Sequence, residues 1–256
     1  MRWDPQQYLR YADERSRPFH ELVARIGATD PRAVVDLGCG TGELTASLAS
    51  WWPAADILGI DSSEHMIAAA ASYAGDRVRF TRGDVGTWRP DGSVDVFVAN
   101  AVFQWVPRHV ELLPSIAAWL APQGWFAFQV PDNFGEPSHT LLRELRLSDR
   151  WRDRLGEGAD RTAGVERPER YLEALVDAGL SADVWQTTYL HVLPGDDAVL
   201  EWVKGTALRP VLSLLEDDAE RSEFLDAYGA ALRRAYPSRD AGTVFPFRRT
   251  FAVAHR

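Results

Sequence analysis

The sequence predicts an α/β fold built on a doubly wound, mainly parallel sheet of seven strands. One observation behind this prediction is a buried strand that runs into alternate glycines, Gly38, Gly40 and Gly42, and then into helix-forming sequence. A second is the alternation of apolar strand segments with helical segments as far as residue 130, which is typical of parallel sheets. A third is the hydrophobic content of 46% with 25% charged residues, as in an ordinary globular chain.

The first half of the chain carries five of the predicted strands. An amphipathic helix is predicted over residues 5–26, and the first strand begins at Val34 and leads into the glycine turn. A helix then extends to about Trp52. The other four strands are predicted at residues 57–60, 78–81, 94–100 and 125–130, and a helix over 110–120 ends at the turn 122–124.

From residue 131 the regular alternation ends. We interpret residues 132–182 and 194–244 as helical lid insertions over the carboxyl edge of the sheet, and 183–193 and 245–256 as the closing strands. Residues 1–131 then form the N-terminal helix and a ligand-binding half. No repeat or flexible linker divides the chain, so we expect a single domain over 1–256.

Charge and composition argue against several classes of function. A net charge of −9 disfavours nucleic acid, because binding there depends on a basic surface. The sequence has no apolar run of membrane-spanning length and no secretion signal at its start, so a cytoplasmic protein is expected. Cys39 is the single cysteine, which excludes an internal disulfide.

Metal binding is not expected either. His109, His139 and His191 are scattered without the spacing of metal ligands, and we interpret them as structural. Cys39 lies within the glycine turn, where a small buried residue is a better interpretation than a nucleophile.

Polar residues stand where successive predicted strands end. Asp61 ends the second strand about twenty residues after the glycine turn, where an acidic residue accepts hydrogen bonds from both ribose hydroxyls of a nucleoside cofactor. The alternative for Asp61 is a helix-capping role. Asp84 follows the third strand and Asn100 ends the fourth. Because the carboxyl ends of parallel strands meet at one edge, these residues predict a nucleoside cofactor site.

The glycine turn resembles motif I of the class I S-adenosylmethionine-dependent methyltransferases. A dinucleotide fingerprint has a small residue three places after its second glycine, and here Glu43 takes that place. The resemblance implies S-adenosyl-L-methionine as cofactor and S-adenosyl-L-homocysteine as product. It also implies Asp84 and the Val85 backbone at the adenine, and Asn100 near the methionine end. The residues it implies at the cofactor are Asp36, Gly38, Gly40, Gly42, Asp61, Ser62, Met66, Asp84, Val85, Asn100 and Trp105.

Over essentially its whole length the chain is also similar to the family of trans-aconitate methyltransferases. The stretches that carry this similarity are residues 3–5, 8–9, 14–18, 59–63, 99–101, 104–105, 122–124, 129–133, 136–139, 185–189 and 205–210. One departure is Thr41, where some relatives have proline. The similarity implies methyl transfer to one carboxylate of trans-aconitate, giving a monomethyl ester.

This reaction requires no catalytic base. A carboxylic acid with a pKa of about 4 is already ionised at neutral pH, so catalysis needs only alignment and exclusion of water. A tricarboxylate entering an acidic chain does need fixed positive groups, and arginine suits carboxylates best. Trp105 is expected to help shape the pocket. The residues expected to contact the acid are Tyr8, Arg15, Arg17, Gln104, Tyr189 and Arg209.

Several alternatives remain open at this point. Each arginine could instead form a surface ion pair, for example Arg17 with Asp13 or Glu14. The acceptor could be another acid, such as isopropylmalate or the malonyl group of a carrier protein. A nicotinamide-dependent oxidoreductase is disfavoured by Glu43, and a silent binding module by the intact acidic and glycine set. We expect a monomer whose partner is a small tricarboxylate.

Overall fold

A computed structural model describes residues 12–156 and 164–256, with side chains from residue 16 onward. Seven long strands form one sheet in the order β3-β2-β1-β4-β5-β8-β6, and the two-residue β7 pairs with β8. Strands β1 to β5 are mutually parallel, while β8 runs antiparallel to both β5 and β6. The predicted fold class is confirmed. The strands are β1 Ala33–Leu37, β2 Asp56–Asp61, β3 Val78–Arg82, β4 Val94–Asn100, β5 Leu120–Pro131, β6 Ser181–Leu193, β7 Ser238–Arg239 and β8 Gly242–His255.

Helices connect the parallel strands and fill the C-terminal half. Two begin at residues whose side chains accept backbone hydrogen bonds: Ser63 accepts from Met66 N, and Asp217 from Ala219 N and Glu220 N. The helices are α1 Ala12–Val23, α2 Glu43–Trp51, α3 Glu64–Ala70, α4 Leu113–Trp119, α5 Pro137–Arg146, α6 Arg152–Leu155, α7 Pro168–Asp177, α8 Ala198–Lys204, α9 Arg209–Leu212 and α10 Asp218–Ala235.

The two faces of the sheet are covered by different helices. Alternate residues of each strand point to opposite faces. On one face, Val98 of β4 and Phe251 of β8 belong to a core cluster with Phe19 of α1 and Leu48 of α2. On the other face, strand residues such as Phe128 pack with helices α4 and α7. This arrangement leaves the carboxyl edge of β1, β2 and β4 bordered by loops.

A second core lies in the C-terminal half. Helices α5, α6, α8, α9 and α10, which we call the helical cap, bury a cluster that includes Trp151, Trp202 and Tyr228. Phe245 and Phe247 of β8 belong to the same cluster, so the cap packs against the N-terminal part of β8. The Tyr236 hydroxyl accepts a 3.0 Å bond from Ser138 N, which joins the end of α10 to α5.

The expected lid insertion 132–182 divides into two parts in the structure. Helix α7 does not join the helical cap, because Tyr171 and Leu175 pack into the sheet cluster beside α4. The helical region 194–244 is not one block either, since it forms α8, α9 and α10. The sequence predicted helical structure in both regions, but neither the individual helices of 194–244 nor the core that each helix joins.

Strand limits also differ from the prediction. The turn expected at residues 122–124 lies inside β5, because Leu120 already pairs with Val94 and the register shifts before Trp125 pairs with Val96. Gln123 takes a left-handed conformation with φ 65° within this irregularity. Strand β8 begins at Gly242, three residues before the predicted start at 245, because it forms a hairpin with β7.

None of the helices in the described part of the chain combines the length and the apolar character that a membrane crossing requires.

Candidate active site

The glycine turn after β1 has two structural glycines and one that faces open space. A Cβ on Gly38 would lie 2.6 Å from the Val102 Cβ, and one on Gly42 would lie 2.7 Å from the Ala70 Cβ. Gly40, at φ 56°, has no neighbouring atom within 4 Å of such a Cβ. All three have positive φ, which glycine adopts without strain. The turn therefore presents bare backbone to a ligand at Gly40.

Asp36 is a buried carboxyl group directly below this turn. It is 2% exposed, and its Oδ2 accepts a 2.5 Å hydrogen bond from the Thr45 hydroxyl on α2. Its Oδ1 is buried and has no hydrogen-bond donor within the described residues. Burial raises the pKa of Asp36 to about 7, with a smaller contribution from the nearby charge of Asp61. An uncompensated acceptor here suits a ligand that carries a positive charge.

Asp61 ties together the two loops that border the site. One carboxylate oxygen accepts a 3.1 Å bond from Gly40 N and the other a 2.8 Å bond from Ser63 N. Burial raises the pKa of Asp61, and the two backbone bonds partly oppose that effect. Each carboxylate oxygen accepts more than one hydrogen bond, so the same group can also receive ribose hydroxyls.

The residues expected at the adenine lie on the next strand ends. Asp84 is exposed, and its Oδ1 accepts a 2.8 Å bond from Gly86 N, which fixes the turn after β3. Val85 is half-buried beside it. Met66 on α3 is buried. Ser62, which precedes α3, is exposed, and its backbone carbonyl accepts a hydrogen bond from Arg82 Nε. These four residues border the edge next to Asp61.

A row of side-chain hydrogen bonds crosses from β4 to β8. Gln129 Nε2 donates to Asn100 Oδ1 over 2.6 Å, and Arg249 Nη1 donates to Gln129 Oε1 over 3.0 Å. Gln129 is fully buried and Arg249 is 6% exposed. The sequence pointed to Asn100 but not to the roles of Gln129 and Arg249. Gln129 is a polar residue within an otherwise apolar strand segment, which was the signal that could have revealed it, whereas Arg249 lies between Arg248 and Thr250 and gives no such signal.

The loop after β4 is held in a strained conformation. Ala101 has φ 55°, its N–H donates to the Gln129 carbonyl over 3.0 Å, and its carbonyl accepts from Gln104 Nε2 over 2.6 Å. Gln104 is buried and Trp105 half-buried in the following turn. A non-glycine residue at positive φ costs about 1 kcal/mol or more, and its position beside Asn100 is consistent with a functional loop.

Glu21 on α1 contacts two of the predicted substrate residues, Arg17 and Tyr189. Arg17 Nε lies 2.8 Å from Glu21 Oε1, and the Tyr189 hydroxyl donates to Glu21 Oε2 over 2.6 Å. The Arg17 guanidinium also lies 5.1 Å from the centre of the Tyr189 ring. The predicted alternative of an ion pair for Arg17 is thus present, although Glu21 is the partner. The Arg17 side chain is 67% exposed.

The other predicted substrate residues are less completely described. Tyr8 lies outside the described residues, and Arg15 lies on α1 but its side chain is not among those described. Arg209 is half-buried at the first residue of α9. Of the predicted substrate residues, the structure joins Arg17 and Tyr189 through Glu21 and places Gln104 in the loop after β4.

His191 and Cys39 are both buried and neutral. Burial, with smaller contributions from the charges of Arg249 and Arg17, lowers the pKa of His191 to about 4. Burial raises the pKa of the Cys39 thiol far above its usual range. In the described ranges 12–156 and 164–256, no group of three or more His, Cys, Asp or Glu is arranged to hold a metal ion.

The residues present fit S-adenosyl-L-methionine. The bare backbone at Gly40 admits a ligand, Asp36 offers a buried acceptor to a positive group, and Asp61 offers two oxygens to a diol. Residues 34–124 match the family model described as a methyltransferase domain. Fold and site together define a class I S-adenosylmethionine-dependent methyltransferase.

Comparison with known proteins gives the particular family. The chain is 52% identical to the trans-aconitate 2-methyltransferase of Streptomyces avermitilis, over 99% of this chain and 97% of that protein. It is 52% identical to the trans-aconitate 2-methyltransferase of Streptomyces coelicolor, over 99% of this chain and 86% of that protein. The crystal structure of YcgJ from Bacillus subtilis shares the fold, with a TM-score of 0.61 at 13% identity over 94% of this chain and 98% of that one. The chain belongs to the trans-aconitate 2-methyltransferase family.

Proposed function

We propose that the protein transfers the methyl group of S-adenosyl-L-methionine to one carboxylate of trans-aconitate. The products are a monomethyl ester and S-adenosyl-L-homocysteine. The observation that carries the proposal is the similarity to the Streptomyces relatives over almost the full length of this chain. That similarity extends through the helical cap and the strands β6 and β8, where the acid would bind, as well as through the cofactor half.

The chain's own residues have two tasks in this reaction, to hold the cofactor and to position the acid. Asp36, Asp61 and the backbone at Gly40 would hold the cofactor, whose sulfonium supplies an electrophilic methyl group when bound. Asn100 would lie near the methionine end of the cofactor, and Gln104 would position the acid beyond the end of β4. No residue needs to remove a proton, because the carboxylate is already ionised at neutral pH. Rate acceleration would come from alignment and from exclusion of water.

Further residues complete the proposed cofactor site. Gly38 and Gly42 shape the turn, and Asp84 and Val85 would contact the adenine. The remaining proposed contacts are with Ser62, Met66 and Trp105.

The acid would be held by positive groups at the border between sheet and cap. We propose Arg17 and Arg209 for this task, with Arg15 and Tyr8 from the N-terminal part and Tyr189 from β6. Arg17 supports this role because its ion pair with Glu21 and its contact with Tyr189 place a fixed cation beside β6. Residues 1–131 would bind the cofactor, while 132–182 and 194–244, apart from α7, would cover the acid.

Product analysis by mass spectrometry tests the proposal. The purified protein is incubated with S-adenosyl-L-methionine and a panel containing trans-aconitate, cis-aconitate, isocitrate, isopropylmalate and a malonyl-carrier protein. A monomethyl ester formed mainly from trans-aconitate supports the proposal. Methylation of another acid at higher kcat/KM, with trans-aconitate unmodified, overturns the substrate and leaves the methyltransferase class in place.

We further propose that the protein is a cytoplasmic monomer. Cys39 is buried as a free thiol, which suits a reducing compartment. Light scattering coupled to size exclusion tests the oligomeric state, since a monomer has a mass of 28.6 kDa.

A further inference from the structure

A buried polar cluster lies on the sheet face beside α1, between the cofactor edge and the helical cap. Its members are Arg249 on β8 and His191 on β6, with Gln129 on β5. His191 and Arg249 are 8% and 6% exposed. Burying a polar side chain is costly unless it is hydrogen-bonded; Arg249 and Gln129 bond each other, so His191 is the member that requires an explanation.

Aromatic rings fix the orientation of His191. Its ring lies 4.9 Å from the Trp202 ring and 6.1 Å from the Tyr189 ring, and both pairs are stacked. Its Nε2 is buried and has no hydrogen-bond partner in the part of the chain that the structure describes. A buried polar atom that is held rigidly and left unsatisfied is suited to a ligand.

Arg249 supplies positive charge next to this histidine. Its guanidinium stacks 4.7 Å from the centre of the Phe247 ring, and that ring lies 6.3 Å from the His191 ring. Burial is the main cause of the lowered pKa of His191, and the charges of Arg249 and Arg17 add to it. A neutral imidazole can donate one hydrogen bond from Nε2, and an adjacent guanidinium can neutralise a carboxylate.

The cluster is also connected to the reacting end of the site. Arg249 is linked to Asn100 through the two hydrogen bonds of Gln129. Asn100 ends β4 directly beside β1 and the glycine turn, since Asp36 pairs with Val98 two residues earlier. An acid anchored at Arg249 would therefore extend toward the edge where the cofactor is proposed to lie.

We propose that His191 and Arg249 together receive a carboxylate of the acid substrate that is not methylated. His191 donates a hydrogen bond from Nε2 to this carboxylate, and Arg249 neutralises its negative charge. Gln129 holds the guanidinium in a fixed position relative to Asn100. This inference rests on the proposed function and adds to it the residues that select a polycarboxylate. His191, interpreted as structural from the sequence, acquires a role in binding.

Steady-state kinetics with matched variants tests the inference. His191→Phe retains the ring stacking and removes the donor, and His191→Gln restores a donor near the same position. Arg249→Met removes the charge with little loss of volume. We expect Arg249→Met to raise the KM for trans-aconitate about thirtyfold, as for loss of one partner of a buried charge pair, and His191→Phe about tenfold. His191→Gln should recover most of the loss.

Three controls keep the result specific. Arg77→Met removes an arginine that pairs with Asp56 at the opposite edge of the sheet, and its KM should match that of the unmodified protein. Calorimetric affinity for S-adenosyl-L-homocysteine should change less than about twofold in every variant. The thermal transition of each variant shows whether it is folded.

Substrate analogues that lack one carboxylate separate this inference from the proposed function. Methylfumarate and cis-glutaconate each lack a different carboxylate of trans-aconitate. The unmodified protein should prefer trans-aconitate over both, and Arg249→Met should lose that preference for one analogue only. Unchanged selectivity in folded, cofactor-binding variants overturns the inference while the function stands. Failure of the unmodified protein to methylate trans-aconitate overturns the proposed function and the inference with it.

Discussion

The Tyr189 hydroxyl donates a 2.6 Å hydrogen bond to the Glu21 carboxylate, across a sequence separation of 168 residues. The bond fastens α1 to strand β6 at the border between the cofactor half and the helical cap. Glu21 also pairs with Arg17. Burial is the largest single effect on the pKa of Glu21 and raises it, but the hydrogen bonds from Tyr189 and Arg17 and the charge of Arg17 together outweigh burial, so the pKa is lowered. This carboxylate therefore adds a polar attachment to the apolar packing of Phe19, Leu22 and Val23 that places α1 on the sheet.

Tyr189→Phe tests this attachment. The Tyr189 side chain is buried, so the variant removes the hydroxyl and keeps the ring. A hydrogen bond to a charged group contributes about 1.5–3 kcal/mol, which corresponds to a fall in Tm of about 3–9 °C for a chain of this size. Differential scanning fluorimetry measures the shift. Tyr73→Phe, at a residue 42% exposed, is the matched control, and equal Tm values for the two variants would contradict the role of the bond.

The cofactor half of the site was largely predictable from sequence because its residues follow the strand ends. Asp36, Gly40 and Asp61 occupy positions that the glycine turn and the parallel order of strands determine locally. Asp61 takes its partners from residues within about one strand-turn-helix unit, so short-range sequence pattern carries the information.

The residues proposed to bind the acid could not be predicted in the same way. Arg249 meets Gln129 through the antiparallel pairing of β5 with β8, which joins residues 120 positions apart. No local pattern gives that register, since it depends on where a strand more than a hundred residues later enters the sheet. Arg17 stays a predicted substrate residue, and its contact with Tyr189 through Glu21 becomes evident only when α1 is placed beside β6.

Asp36 should make cofactor binding depend on pH. A positively charged ligand favours the ionised carboxyl group, whose pKa is about 7 in the free protein. Affinity for S-adenosyl-L-methionine should therefore rise about fivefold between pH 6 and pH 7 by linkage, and isothermal titration calorimetry can measure it. In Asp36→Asn the affinity should be weak and independent of pH over that range. A flat profile in the unmodified protein would show that Asp36 does not ionise on binding.

The same carboxyl group should destabilise the protein without cofactor at higher pH. Its pKa is raised from 3.8 to about 7 on folding, so the native state binds more protons than the unfolded state between these values. The free energy of unfolding should therefore fall as the pH rises from about 4 to about 7, by at most about 4.4 kcal/mol from this group. Asp36→Asn should be more stable than the unmodified protein at pH 8 and not at pH 4. Urea unfolding at both pH values measures the difference.

Cys39 should be chemically inert in the folded protein. It is 8% exposed, and burial with the nearby charges of Asp36 and Asp61 raises the pKa of the thiol, so little thiolate is present at neutral pH. A thiol reagent such as dithionitrobenzoate should label the native protein slowly and the guanidinium-unfolded protein fully and at once. Prompt labelling of the native protein would show that the glycine turn opens readily.

Gly42 and Gly40 should have different roles in the same turn. Gly42→Ala places a methyl group 2.7 Å from the Ala70 Cβ and 2.8 Å from the Phe80 ring at φ 85°, so packing and backbone strain both oppose it. We expect a loss of about 2–4 kcal/mol, seen as a fall in Tm of about 5–15 °C.

Gly40→Ala should behave differently, because its methyl group meets no atom of the described protein within 4 Å. The backbone strain at φ 56° costs about 1–2 kcal/mol, so Tm should fall by only a few degrees. The methyl group would instead enter the space proposed for the cofactor and weaken S-adenosyl-L-homocysteine binding at least about tenfold, as 1.4 kcal/mol or more of lost contact would. Calorimetry on both alanine variants measures the contrast. Unchanged affinity in Gly40→Ala would place the cofactor elsewhere along the carboxyl edge of the sheet.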